Sequence, residues 1–392
     1  MKYDFDKVID RRGTDSIKWA VKDNELPMWV ADMDFPAAPA IVAALKERVE
    51  HGVYGYTAPG QGWYDACIRF HKNRHGWKFN QDSILFSTGV VPSISSAVRA
   101  FTDEGDAVIV FTPVYNIFFN SIVNNHRRIE AVPLLRQGDD FFIDFEAFRK
   151  AAQESKAKLL IFCNPANPIG RIWTKEELAK VAAVAKEFDM IILSDEIHGE
   201  ITRPGKMYHP FLAAVPEAVK FCFSCISPTK AFNLAGIQTS AIIAPDPKIR
   251  AKIERQINTD EVAEPNVFAC VAAATAWGQC EDWLDECREY LFANRDLVER
   301  VINSEIPGLH CLPGDATYLL WIEIRDITED DAAFADFLRS ETGLFVSKGS
   351  VYGEGGKGFL RLNVACPRES VLDGIARLKD GVKRYLTQKG RK

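Results

Sequence analysis

The sequence predicts an α/β protein. A largely parallel sheet is covered by helices on both faces, as a three-layer sandwich, and is joined to a smaller α+β unit. Three observations predict this. Short runs rich in β-branched and apolar residues alternate with helical stretches through most of the chain, the pattern of a parallel sheet buried on both faces. Polar and conformationally special residues concentrate just after those runs, where such sheets bind ligands. A chain of 392 residues is also too long for one ordinary hydrophobic core, so two units are expected.

The elements follow in order. Ile84–Ser87 is a short apolar strand stopped by Thr88-Gly89, and Pro92–Phe101 has helical spacing. Ala107–Phe111 is the next strand, closed by Thr112-Pro113; Leu159–Cys163 is another, ended by Asn164-Pro165. Lys175–Phe188 has helical apolar spacing, with Thr174 and Glu177 placed as a capping box. Ile191–Leu193 runs into Ser194-Asp195-Glu196, and Phe221–Ile226 and Thr239–Ala244 add two more strands. Around 265–305 the pattern becomes one long helical stretch with interleaved acids and bases. Then come a strand at Tyr318–Ile324, a helix at Asp331–Glu341, a strand at Phe359–Val364 and a helix at Glu369–Tyr385. The expected division is a large unit over 48–285 and a small unit made of 1–47 and 286–392. No internal repeat is present, and the only biased segment is the short basic tail Gln388–Lys392.

Composition narrows the function classes. Hydrophobic residues make up 47% and charged residues 26%, as in globular proteins. A net charge of −6 provides no basic face for nucleic acid. Residues 1–12 are charged throughout, with no apolar leader core, and no run is apolar enough to span a bilayer. The nine cysteines are scattered and odd in number, which suits free thiols in a cytoplasmic protein. Cys222 and Cys225 form a C-x-x-C pair, but in a strand context, so they are expected to be core thiols. His71 and His75 lie four apart on an expected helix, yet position 72 is Lys and no third ligand is apparent, so no metal site is expected. Residues 353–358 (GEGGKG) lack the phosphate-loop spacing and are expected to form a flexible loop. Asp32 and Asp34 either line a site mouth or cap a turn, and the turn cap is the expectation.

Chemistry is carried by three segments. Lys230 follows a buried strand and precedes apolar residues. Such a lysine is either a surface turn residue or an amine of depressed pKa able to form an imine with an aldehyde. Asp195, also just after a strand, could cap a helix, bind a metal or keep a pyridine nitrogen protonated. The 35 residues between them suit one strand–helix–strand excursion. Asn164 to Gly170, with two Asn-Pro steps and a glycine, forms a rigid non-helical loop.

In this order the N-P-x-N-P-x-G, D-x-x-H and S-x-x-K elements resemble fold-type I pyridoxal-phosphate (PLP) enzymes, the aspartate-aminotransferase superfamily, over essentially the whole chain. The resemblance implies a PLP-dependent-transferase fold. It makes Lys230 the lysine that binds PLP and the general base, and Asp195 the partner of the pyridinium nitrogen. His198 and Asn167 would approach the ring's phenolic oxygen, and Tyr115 would stack on the ring. Gly89, Val90 and Val91 would offer amides to the phosphate at a helix start, helped by the Ser227 hydroxyl. Tyr56 would reach the phosphate of a neighbouring subunit, which implies a homodimer with shared sites. Arg361 would clamp the substrate α-carboxylate. One position departs from the pattern: many relatives carry a phosphate-binding arginine where this chain has Gln238.

Met28–Pro36 (MWVADMDFP), Ser87–Ser95, Ser194–Glu200, SPTKAFNLAG and Asp315–Trp321 narrow the resemblance to MalY/PatB-type cystathionine β-lyases. That implies α,β-elimination from L-cystathionine or cysteine S-conjugates to a thiol, pyruvate and ammonia. An aminotransferase shares the early steps and is the nearest alternative. A PLP-binding regulator acting on a transcription factor is the alternative of another class. The expected partners are a small amino-acid substrate and a second copy of the chain, with neither nucleic acid nor membrane.

Overall fold

The computed structural model describes residues 2–390; Met1, Arg391 and Lys392, and so the end of the basic tail, lie outside the described residues. Seven strands form the large sheet: β1 (Ile84–Ser87), β2 (Ala107–Thr112), β3 (Arg128–Pro133), β4 (Leu159–Cys163), β5 (Ile191–Asp195), β6 (Cys222–Ile226) and β7 (Ser240–Ile243). Their spatial order is β1-β7-β6-β5-β4-β2-β3. Strands β2 to β6 pair in parallel, while β7 is antiparallel to both β6 and β1. Strand β1 therefore points the same way as the parallel set, and six carboxyl ends share one edge. Every residue of β2 and β4 is buried, as a sheet covered on both faces requires. The edge strand β3 was not expected: only Val132 of Arg128-Ile-Glu-Ala-Val-Pro133 is fully buried, so no apolar run betrays it.

Helix α1 (Val90–Phe101) follows β1 at once and starts two residues earlier than the spacing predicts. That places Gly89 at the N-cap, in extended backbone. The capping box at Thr174 and Glu177 forms as expected. The stretch around 265–305 is two helices, α2 (Ala269–Gln279) and α3 (Glu281–Glu305), parted at Cys280. A four-stranded antiparallel sheet follows, β8 (His310–Leu312), β9 (Leu319–Glu323), β10 (Ser347–Lys348) and β11 (Phe359–Asn363), in the order β8-β9-β11-β10.

Two cores flank α3. Its first half (Trp283, Leu284, Cys287, Leu291) packs with the large sheet. Its second half (Val298, Val301, Ile302) packs with Leu320, Leu360, Leu378 and the N-terminal Leu26 and Met28. The expected boundary at 285/286 thus falls inside a continuous helix. The N-terminal arm reaches both cores, since Phe5, Met33 and Phe35 join the larger one. All nine cysteines are free and buried, Cys222 and Cys225 within β6. No described helix is long and apolar enough to cross a membrane.

Candidate active site

The shared edge of carboxyl ends holds a cavity of about 240 Å³. Its wall takes Gly89, Val90 and Val91 after β1, Tyr115 after β2, Asn167 after β4, Asp195 at the end of β5 with His198 after it, and Lys230 after β6. One strand end supplies each group, which is why residues far apart in sequence converge. A second cavity of about 410 Å³ adjoins it, sharing Ala31, Tyr115 and Lys230 and adding Trp29, Ile117, Phe345, Lys348 and Arg361.

The groups fall into a cation end, an anion end and an anion-binding end. Lys230 is held below its usual value, at about 8, by burial first and by the Arg361 charge second. Its Nζ donates to the Ala31 carbonyl at 2.6 Å. Asp195 is 4% exposed and receives a single hydrogen bond, from the Ile197 amide at 3.1 Å. Burial lifts its carboxyl to about 7, against the Ile197 N–H and Lys230, which favour the anion. At the far end, the first amides of α1 lack intrahelical acceptors and attract an anion. Lys230 is the only cation lining this cavity among the described residues, and Gln238, at φ 58°, lines it too.

Arg361, on β11, is nearly buried. Its Nη1 donates to Asn167 Oδ1 at 3.1 Å and its Nη2 to the Trp29 carbonyl at 3.0 Å, while Nε has no partner. Because Asn167 accepts through Oδ1, its Nδ2 donors are left for the cavity. The His198 ring is buried with Nδ1 unpartnered, and burial together with Lys230 and Arg361 pushes its pKa down to about 3, so it is neutral.

Ser227 and Tyr56 do not line the cavity within this chain, and Tyr56 is expected to act only in that of a neighbouring subunit. The Ser227 hydroxyl is committed inside the loop, to the Thr239 carbonyl and the Thr229 hydroxyl, each at 2.7 Å; Thr229 lines the cavity instead. Tyr56 is 103% exposed, in a segment without helix or strand, and lines neither cavity.

Three expectations need correcting or completing. Asp32 and Asp34 are not turn caps. They pair with Arg11 and Lys18 in a cluster of two cations and two carboxylates. The 353–358 loop is not loosely held: a side chain at Gly356 would meet the Gly349 carbonyl at 2.1 Å, and Asp331 accepts from the Ser350 and Gly358 amides. His71 and His75 face protein partners, the Cys67 carbonyl and Glu200 Oε1. Sequence reasoning also missed Ala31, a carbonyl that no side-chain pattern could reveal, and Tyr318, whose hydroxyl donates to the same carbonyl at 3.0 Å.

With this geometry in place, the comparisons are specific. The family profile described as "Aminotransferase class I and II" matches residues 28–378. The chain is 40% identical to cystathionine beta-lyase PatB of Bacillus subtilis (strain 168), over 96% of this chain and 98% of that one. It is 29% identical to protein MalY of Escherichia coli (strain K12), over 97% and 99%. The crystal structure of cystalysin from Treponema denticola, which contains a pyridoxal 5'-phosphate cofactor, superposes with a TM-score of 0.94 at 32% identity, covering 98% and 100%. Strand-end site, profile and relatives agree, and the chain belongs to the class I and II aminotransferase family.

Proposed function

We propose that this chain is a PLP-dependent carbon–sulfur β-lyase that cleaves L-cystathionine or cysteine S-conjugates to a thiol, pyruvate and ammonia. One observation carries the cofactor: a lysine, an unpaired buried carboxylate and a helix start border a single cavity. The groups fit PLP point for point. Free amides of α1 suit a phosphate, as does the Thr229 hydroxyl once its proton turns from Ser227 Oγ; Asp195 suits a pyridinium nitrogen, Asn167 Nδ2 a phenolic oxygen, and Lys230 an aldehyde. The buried Nδ1 of His198 and Nε of Arg361 have no protein partner, as fits polar groups that meet a ligand. Bound PLP supplies an electrophilic carbon and an electron-accepting ring.

The chain's own residues do the rest. Arg361 retains three N–H groups beyond those given to Asn167 and Trp29, enough for a forked pair to the substrate carboxylate. That grip orients the α-proton toward Lys230. Burial lowers the Lys230 amine to about 8, so the free base forms at mildly basic pH instead of only above about 10. It takes the α-proton; the Cβ–S pair leaves with sulfur, and the proton on Nζ is available to the departing thiolate. A pyridinium nitrogen facing Asp195 would offset the burial that lifts its carboxyl and hold it as the anion.

The names of the relatives support lyase over transaminase, and so does the second cavity. A 2-oxoglutarate-dependent aminotransferase needs a second cation for a distal carboxylate. Besides Lys230 and Arg361, the only cation lining that cavity among the described residues is Lys348, and it is held by Asp336 at 2.8 Å. Homodimerisation is supported by the full exposure of Tyr56, a cytoplasmic site of action by nine unpaired buried thiols. Division into 48–285 and 1–47 plus 286–392, with α3 as a shared spine, is supported by the two cores.

The test is to incubate the yellow protein with L-cystathionine and measure pyruvate and free thiol, with and without 2-oxoglutarate. Pyruvate and thiol without the oxo acid are expected. Product only with the oxo acid would make it an aminotransferase, and no turnover of any amino acid would favour a binding role.

A further inference from the structure

The segment Trp29–Phe35 has no regular secondary structure, yet its Ala31 lines both cavities and its Trp29 and Val30 the second. Its backbone is placed by side chains. The Trp29 carbonyl accepts from Arg361 and Ser347, and those of Val30 and Asp32 accept from Asn363 at 2.6 and 2.7 Å. The Met33 carbonyl accepts from Asn233, three residues beyond Lys230, and from Arg11. Between them, the Ala31 carbonyl receives Lys230 Nζ at 2.6 Å and the Tyr318 hydroxyl at 3.0 Å. Five successive carbonyls are thus tied to the lysine loop on one side and the Arg361 strand on the other.

Behind this strap lies the ion cluster. Arg11 meets Asp32 and Asp34 at 2.7 Å each, Lys18 meets Asp34 at 2.7 Å, and the Trp19 Nε1–H donates to Asp34 at 2.8 Å. Lys18 is only 1% exposed. Asp34 is buried too, and Arg11 and Asp32 half-buried; such a cluster is a poor way to gain stability compared with apolar packing, but it fixes geometry. We propose that the Ala31 carbonyl is the seat of the Lys230 amine whenever that amine is not joined to the cofactor. In this arrangement Arg11, Lys18, Asp32 and Asp34 are positioning residues that hold the carbonyl there. A hydrogen bond to a neutral amine or an ammonium aims the nitrogen instead of leaving it on a mobile four-carbon stem. Proton transfer depends steeply on that aim.

The inference rests on the assignment of Lys230 above, but not on which product leaves. The charged groups facing Lys230 are Arg361, Asp32 and Asp195, with neutral His198, Tyr115 and Tyr318 around them. Lys18→Met separates seating from simple charge. Removing a cation by itself would favour the ammonium and raise the Lys230 midpoint. Losing the seat removes an acceptor from the ammonium and lowers it.

Two readouts are taken. In the cofactor-free full chain, Lys230 acetylation by acetic anhydride is followed by peptide mass spectrometry across pH. In the holoprotein, exchange of the L-alanine α-proton with D2O is followed by NMR, alongside the alanine Kd from the cofactor's visible band. Lys18→Met is expected to lower the acetylation midpoint by about one unit. It is also expected to slow exchange about tenfold, with Kd changed less than about threefold. Asn233→Gly tests the same strap without altering charge, tolerates the φ of 56° at that position, and serves if Lys18→Met does not fold. An unchanged or raised midpoint, or an unchanged exchange rate, overturns the proposal.

Discussion

Arg361→Lys is the sharpest single perturbation of the substrate side of the site. The guanidinium serves three partners at once: Asn167 Oδ1 at 3.1 Å, the Trp29 carbonyl at 3.0 Å and, through its remaining N–H groups, the substrate carboxylate. A lysine keeps the charge but loses the fork, and it cannot orient Asn167 while it grips a carboxylate. Losing one charge-assisted hydrogen bond costs about 1.5–3 kcal/mol, which is roughly a 10- to 150-fold loss in kcat/KM. The clamp acts on substrate before and during reaction, so most of the loss is expected in KM. Steady-state pyruvate release from L-cystathionine measures it. An S-conjugate of cysteamine, which lacks the α-carboxylate, is the control and should bind both proteins equally weakly. A kcat/KM within about threefold of the parent, or an equal defect in binding the carboxylate-free analogue, would refute the clamp.

Three further outcomes are expected. Thr229→Val should weaken cofactor retention while Ser227→Ala leaves it nearly unchanged, because only Thr229 lines the cavity; dialysis followed by absorbance would show the reverse order if the hydroxyl assignment were wrong. Glu200 is held below its usual 4.5 because the partnership with His75, helped by Arg74, outweighs the large penalty of burial. A depressed carboxyl stabilises the fold above its unfolded pKa, and that stability is lost as pH falls below about 4.5. Glu200→Gln should therefore lower Tm at pH 7 and flatten its acid dependence, and an unaltered acid limb in differential scanning calorimetry would contradict this. Hybrids of Tyr56→Ala with Lys230→Ala should regain activity, because each mixed dimer has one site free of both changes; mixtures no better than the sum of the parents would argue against shared sites.

Much of the site was legible because of where chemistry sits in a parallel sheet. Lys230, Asn167, Tyr115 and Gly89 lie past a strand and Asp195 ends one, so strand ends located in sequence located the site as well. Ser227 and Thr229 share one loop and their hydroxyls meet at 2.7 Å, yet only Thr229 reaches the cavity wall, a matter of backbone path that no residue pattern carries. Strand β3 escaped because an exposed edge needs no apolar run. Asp32 and Asp34 looked like turn caps because their cations, Arg11 and Lys18, are distant enough in sequence that only the fold pairs them. The break at Cys280 left the helical periodicity on either side intact, so two helices read as one.

The central claim is that Lys230 is the residue that joins the cofactor. Reducing the yellow holoprotein with borohydride makes that link permanent, and peptide mapping by mass spectrometry then locates it. The expected result is a phosphopyridoxyl group on the peptide carrying Lys230 and loss of the visible band. The same group found on any other lysine, or a band that survives in Lys230→Ala, would contradict the account.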